Sequence, residues 1–277
     1  MTTVESIDRA ERGVESVARA LDLLDALADR EYGLVELGRA TGLRPSTTHR
    51  LLATLLRHGY VRRNVDTGKY ALGLRPLRLA SGLARDTEEL LTTIRPFLKR
   101  IHQVTHETTH LFLGQGFSVV LLEQLLSTDA NDLATALGAH LPSHATAAGK
   151  AVHAHTEPQI IADLLSTAQL YPHTQRTLTG PSELLQEFTT IRKRGFAVSD
   201  GEFRNGMICI ASPVFDQHSR VIGAIGTTHM ETGYTCGASV AEVGELVSMT
   251  ARDASKALGF DETAPESHSS TLEQFAV

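Results

Sequence analysis

Arg44, Ser46, Thr47, His49 and Arg50 fall within one short stretch of this chain, and together they form a guanidinium, hydroxyl and imidazole set suited to phosphate oxygens and base edges. Arg62, Arg63 and Lys69 follow close behind. From Leu37 to Arg78 nine basic residues face a single acid, Asp66, a local charge of +8 that leaves −14 on the rest of a chain whose formal total is −6. Such a basic segment beside an acidic body suits a polyanion-binding head on a module with another task. Other reactive types are scattered. His102, His106 and His110 have the spacing of one helical face, but a strand start near Thr109 would break the stack. His144, Asp200 and Cys209 are too dispersed to argue for zinc, so no metal site and no cofactor is expected. No G-x-S-x-G elbow exists, and Cys209 lies in an apolar run without a cationic neighbour, so no catalytic residue is nominated.

The elements that must carry the basic set follow from periodicity. Val17, Leu21, Leu24 and Leu27 or Ala28 recur at helical spacing over residues 14–28, which predicts an amphipathic helix. A short helix over 34–41 then meets Gly42, and Pro45 stands where a third helix should begin. Projected on a helix, Thr48, Leu51, Leu52, Leu55 and Leu56 share one side of residues 46–58, while Ser46, His49, Arg50, Ala53 and Arg57 share the other. Two short helices joined at a glycine, the second with an apolar inner stripe, make a helix-turn-helix. Residues 60–63, the turn Asp66-Thr67-Gly68 and residues 69–72 read as a basic-flanked hairpin, the wing of a winged helix. In this arrangement Arg44 and Arg50 reach base edges, Ser46, Thr47 and His49 share base and phosphate contacts, and Arg62, Arg63 and Lys69 meet phosphates.

Leucines 74, 77, 79, 83, 90 and 91 mark a linker helix over 74–91. Its self-pairing would set two recognition helices in major grooves about 34 Å apart, so a homodimer, or a dimer of dimers, is expected; the rival reading is an ordinary inter-domain helix. A further helix is expected over 92–104, then a hairpin of residues 110–113 and 119–122 around Gly114-Gln115-Gly116, a helix over 183–194, and strands over 196–198, 207–215 and 221–228. A last amphipathic helix covers 240–258. Helices mixed with antiparallel strands make an α+β domain over 92–260. Residues 1–13 are expected to be a flexible N-terminus, residues 14–73 the winged helix, and the Ser-, Glu- and Thr-rich residues 261–277 a disordered tail. His144-Ala145-Thr146-Ala147-Ala148-Gly149-Lys150 opens a helix with small residues, which exposes backbone N–H groups to an anion.

Four runs, SVARALDLLDALA, LVELGRATGLRPSTTHRLLATLLRHGYVRRNVDTGKYALGLR, LPSHATAAGKAVHA and IRKRGFAVSDGEFRNGMICIASPVFDQHSRVIGAIG, occur in the order in which they resemble the isocitrate-lyase-regulator (IclR) family of bacterial transcription factors. The resemblance spans residues 13–259. It implies a winged helix-turn-helix, a linker helix used in dimerisation, and a C-terminal GAF-like domain that binds a small metabolite, often an organic or aromatic acid. By that resemblance Ala147 and Ala148 contact effector through their backbone, Cys209 lies in the central pocket strand, Gly226 and Thr228 line its neighbour, and Asp200 and Glu202 sit on the preceding loop. Ser199 stands where some relatives carry a carboxylate, and Gly226 where they carry serine, which implies a roomier, less polar pocket and a bulkier effector.

With 277 residues, 42% hydrophobic and 21% charged, the chain reads as an ordinary globular protein of two domains. Its polar start and the lack of a long apolar run argue against a signal peptide or a membrane partner and for a cytoplasmic location. Two cysteines, Cys209 and Cys236, rule out a disulfide framework. The expected partners are double-stranded operator DNA and a small-molecule effector. The competing readings are a hydrolase acting on a small acid derivative and a DNA-bridging protein without ligand response.

Overall fold

A computed structural model describes residues 14–127, 135–230 and 237–261. The flexible start expected over residues 1–13, the tail beyond Asp261 and Cys236 lie outside the described residues. The chain divides into two compact units at Glu88/Glu89.

The first unit holds helices α1 (Glu15–Asp29), α2 (Leu34–Ala40) and α3 (Pro45–Arg57) and the antiparallel pair β1 (Val61–Arg63) and β2 (Tyr70–Leu72). Its core joins Leu23, Leu27, Leu37, Leu52, Leu55, Val61 and Tyr70. The expected stripe on α1 is corrected here: Leu23 and Leu27 point inward, whereas Val17 and Leu21 are exposed together with Val14. Helix α1 therefore carries two apolar stripes, and its own unit covers only one. Between α2 and α3, Gly42 adopts φ +67°, and the Leu43 N–H donates to the Gly38 carbonyl at 2.7 Å. A Cβ on Gly38 would stand 2.9 Å from the Leu43 carbonyl and 3.0 Å from the Thr48 hydroxyl, so a side chain there would push the two helices apart.

Helix α4 runs unbroken from Arg75 to Thr105 with Pro96 inside it, where two helices meeting near residue 91 were expected. Proline removes one hydrogen bond, but Leu91, Ile94, Leu98 and Ile101 bury one continuous face and hold the helix through it. Beyond Thr105 the chain turns at His106, φ 58°, so the three spaced histidines share no helix.

The second unit is built on a six-stranded antiparallel sheet of order β5-β4-β3-β8-β7-β6. Its strands are β3 (Thr108–Gln115), β4 (Ser118–Leu125), β5 (His140–Pro142), β6 (Ala197–Asp200), β7 (Met207–Phe215) and β8 (Val221–Met230). The first hairpin turns at Gly116 and Phe117, with Gly116 at φ +54°, so Gly114 and Gln115 belong to the strand. Asp200, expected on a loop, ends β6. Alternation separates the faces. Leu111, Ile210, Val214 and Ile225 pack with the second half of α4 and with α8 (Val240–Ala257). Phe112, Val119, Ala211 and Ala224 pack with α5 (Ala147–His153), α6 (Pro158–Thr167) and α7 (Pro181–Arg194). The unit is thus a helix–sheet–helix sandwich, an α+β fold. Neither β5 nor α6 was anticipated from the sequence.

Among the buried imidazoles of this unit are His110, His153 and His229. Loss of water lowers each to about 4. Below the ordinary histidine pKa near 6.5 the unfolded chain takes up protons that these folded groups refuse, so folded stability drops as pH falls from about 6.5 towards 4. His153 is the extreme case: both ring nitrogens lack a hydrogen-bond partner, and the ring stacks on Phe117 at 4.9 Å. His153→Phe is therefore expected to raise stability by about 1 kcal/mol at pH 7 and to flatten the acid limb. Urea melts between pH 4 and 7 measure both effects, and an unchanged acid limb would remove His153 from the account.

Candidate functional site

The outer face of α3 is open. Ser46, His49, Arg50, Ala53 and Arg57 are exposed, while Thr48, Leu52 and Leu55 fill the core. Arg44 precedes the helix, and its carbonyl accepts the Thr48 hydroxyl at 3.1 Å, which leaves its exposed side chain outside the helix start. Thr47 is half-buried at the edge of this face. Several wing residues have internal partners. Arg62 pairs with Glu31 at 3.2 Å, and Arg63 donates to the Gly68 carbonyl at 3.1 Å while lying over the Tyr70 ring. Lys69 is exposed. The wing turn is built by Asn64, whose side-chain oxygen accepts the Asp66 and Thr67 N–H groups. The surface thus presents a cationic, hydroxyl-bearing helix face beside a stiff basic hairpin.

In the second unit a cavity of about 150 Å³ opens between the α5 start, the sheet and the loop after β6. Volume on this scale accommodates a single six-membered ring. The walls are mostly apolar: Phe112, Leu141, Ala147, Ala148, Met207, Ala211 and Phe203. Polar groups come from His110, Thr135, Thr146, Cys209, Thr227 and Thr228, and Arg204 is the one cationic side chain among the described lining residues, none of which is acidic. The Thr228 hydroxyl donates to the Cys209 sulfur at 3.1 Å. Burial pushes the Cys209 thiol up to about 11, so it stays protonated and is a poor nucleophile.

Of the residues nominated for this pocket, Ala147, Ala148, Cys209, Gly226 and Thr228 line the cavity, and three do not. Ser199 is fully buried and spends its hydroxyl on the Ala145 carbonyl at 2.9 Å. Asp200 points to solvent and pairs with Arg176 at 2.9 Å. Gly149 faces the turn before α5, where a Cβ would stand 2.2 Å from Ser143 Cα. Its N–H donates to the Thr146 hydroxyl at 3.2 Å, so the helix start is partly capped from within. Ala147 and Ala148 line the cavity, and as the first two residues of the helix their N–H groups have no intrahelical acceptor. Gly226 also needs a new reason: a Cβ there would lie 2.2 Å from the Ile210 carbonyl, so close strand approach excludes a side chain, whatever the pocket holds. His144 is bound to the Tyr171 carbonyl at 2.9 Å, so His144, Asp200 and Cys209 do not converge.

Sequence reasoning passed over His110, Phe203 and Arg204, because strand register and a loop bring them to the cavity. It also passed over Lys150. That side chain is about 1% exposed, and its ammonium lies 2.6 Å from Glu202 and 3.4 Å from Glu187.

Comparison with known proteins agrees with this two-part layout. A family model described as the bacterial transcriptional regulator IclR C-terminal matches residues 83–256, and the IclR helix-turn-helix domain matches residues 16–65. The chain belongs to the IclR family. The transcriptional repressor IclR of Escherichia coli K12 is 31% identical over 250 residues, covering 89% of this chain and 90% of the relative. The fold is shared with the Thermotoga maritima IclR, at TM-score 0.68 and 24% identity over 88% of this chain and 99% of that one. An IclR homologue of Microbacterium hydrocarbonoxydans, solved with 4-hydroxybenzoate, superposes at TM-score 0.71 with 25% identity, over 88% of this chain and 99% of its own. This IclR-family protein is a DNA-binding transcriptional regulator. Among the described residues no helix is long and apolar enough to cross a membrane.

Because Gly226 is a packing glycine, Gly226→Ser is expected to destabilise the protein by about 1–3 kcal/mol through overpacking. Thermal or urea unfolding tests this: a stable Gly226→Ser variant with altered ligand preference would return Gly226 to the pocket.

Proposed function

We propose that this regulator binds operator DNA as a homo-oligomer in the cytoplasm and that a single-ring organic acid, seated in the cavity of the second unit, adjusts its operator affinity. One observation carries the choice of ligand: an apolar cavity of about 150 Å³ whose described lining includes one guanidinium and no carboxylate. Such a site favours an anion over a cation of the same shape. The ring would lie against Phe112, Leu141 and Phe203, and the carboxylate would meet Arg204 or the N–H groups of Ala147 and Ala148. The ligand seen in the Microbacterium homologue is an acid of this class. A void of this volume in a closed core would cost roughly 3–4 kcal/mol, which favours a cavity kept for use. The protonated Cys209 thiol favours binding over nucleophilic turnover in this cavity.

On the DNA side, Arg44 and Arg50 read base edges, Ser46, Thr47 and His49 divide their bonds between bases and phosphates, and Arg62, Arg63 and Lys69 meet phosphates. Arg62 and Arg63 would exchange internal partners for phosphate, which lowers their net gain. Homo-oligomerisation is supported by apolar side chains that the first unit leaves uncovered: Val14 just before α1, Val17 and Leu21 on α1, and Leu77 and Leu83 on α4. Stripes of this kind mark an interface. A ligand that prefers one of two dimer arrangements then shifts DNA affinity by a coupling of about 1–3 kcal/mol.

Arg50→Ala is expected to relax base preference, whereas Lys69→Ala should weaken all sequences alike and reduce the log–log salt slope by about 0.9. Fluorescence anisotropy on operator and scrambled duplexes at several salt concentrations measures both. For the cavity, 4-hydroxybenzoate should raise the melting temperature of the full chain, and Arg204→Ala should weaken that shift more than it weakens the shift given by 4-hydroxybenzamide. Equal losses for acid and amide would remove Arg204 as the counter-charge.

A further inference from the structure

Lys150 and Glu202 form a buried ion pair that touches no ligand space, yet joins the two walls of the cavity. Lys150 lies on α5 one turn after Ala147 and Ala148, and its ammonium meets both Glu202 oxygens, at 2.6 and 2.8 Å. Glu202 is followed directly by Phe203 and Arg204, which form the opposite wall. Glu187 on α7 joins from the third side at 3.4 Å. The loop is tied again through its backbone, since the Thr177 hydroxyl donates to the Glu202 carbonyl at 2.7 Å and the Thr174 hydroxyl to the Gly201 carbonyl at 2.7 Å. The loop also closes on itself: the Gly201 N–H donates to the Met207 carbonyl at 2.8 Å.

A buried ion pair is a poor device for stability alone, because desolvation offsets its Coulomb gain and apolar side chains of like size serve as well or better. Burial pushes the Glu202 carboxyl up against the pull of Lys150, which shows that desolvation cost. What the pair supplies is a fixed separation. Its hydrogen bonds are directional, so they fix the approach of the two elements in a way that non-directional apolar contact does not.

We infer that Lys150 and Glu202 are positioning residues for effector recognition, a latch that sets the distance between the Ala147–Ala148 wall and the Phe203–Arg204 wall and so determines whether an anionic ring is preferred to a neutral one. This inference rests on the reading of the cavity as the effector site. The latch itself is a statement about the loop and can be tested without any ligand.

The experiment uses the full chain with Lys150→Met and Glu202→Gln, and with Glu202→Asp as the charge-keeping control. Hydrogen exchange followed by mass spectrometry reads the loop directly. Peptides covering 201–206 should exchange about tenfold faster in both neutralised variants, with α8 and β8 unchanged, and Glu202→Asp should fall in between. Titration with 4-hydroxybenzoate and 4-hydroxybenzamide reads recognition. The preference of the wild type for the acid should shrink by about tenfold in Glu202→Gln, while operator affinity without ligand stays the same. If Lys150→Met fails to fold, Glu202→Gln keeps the size of the native side chain and carries the test. Unchanged loop exchange together with an unchanged acid-to-amide ratio would overturn the latch. Faster loop exchange in a protein whose wild type binds neither compound would sustain the latch and overturn the effector reading.

Discussion

The second unit depends on four positions where side-chain volume is withheld between a helix and a sheet. Ala147 and Ala148 open α5, Ala211 lies on β7 and Gly226 on β8, and all four border the same cavity. Elsewhere the interior is closed by leucine, isoleucine and phenylalanine, as in Leu184, Phe188 and Ile191, at the density expected of a protein core. A void survives only where such packing stops. Its edges must then be held by something other than mutual contact, which is where the glycines and the buried charges enter. Gly149 lets α5 approach the Ser143 backbone, Gly226 lets β8 approach Ile210, and the Lys150–Glu202 pair ties the loop to the helix.

The first unit obeys a different constraint. Its core is small, seven buried apolar residues in one cluster, and it must leave a whole face of α3 free for a partner. Close helix approach at Gly38 and the turn at Gly42 therefore set the angle of α3, with little buried area to spare. The same economy leaves the outer stripe of α1 and the leucines at the start of α4 uncovered. That uncovered apolar surface is what supports the proposed homo-oligomer.

The two halves of the function differ in how much rigidity they need. Arg62 and Arg63 are exposed and bonded within their own unit, to Glu31 and to the Gly68 carbonyl, and the proposed phosphate contacts would replace those bonds. Recognition of a small acid needs walls that are set before the ligand enters, because a displacement of an ångström costs much of the discrimination. In the proposed effector site, the Lys150–Glu202 ion pair and the Thr146 cap of α5 would serve that need.

Local chemistry decided much of this protein. The apolar stripe and outer cations of residues 46–58, the proline at the head of α3 and the Asp66–Gly68 turn were legible because each is set by residues close together in the chain. The strands Met207–Phe215 and Val221–Met230 were legible for the same reason. The pocket was legible only in part. Ala147, Ala148, Cys209 and Thr228 could be nominated from likeness to a family, but the roles of Ser199, Asp200 and Gly226 could not, since a side chain's direction depends on strand register and on what a neighbouring strand brings opposite it. Lys150 looked like any surface lysine in a row of letters. Only the return of the chain 52 residues later, with Glu202 facing it, made it a buried charge, because Coulomb attraction and desolvation depend on distance in space and not on distance along the chain.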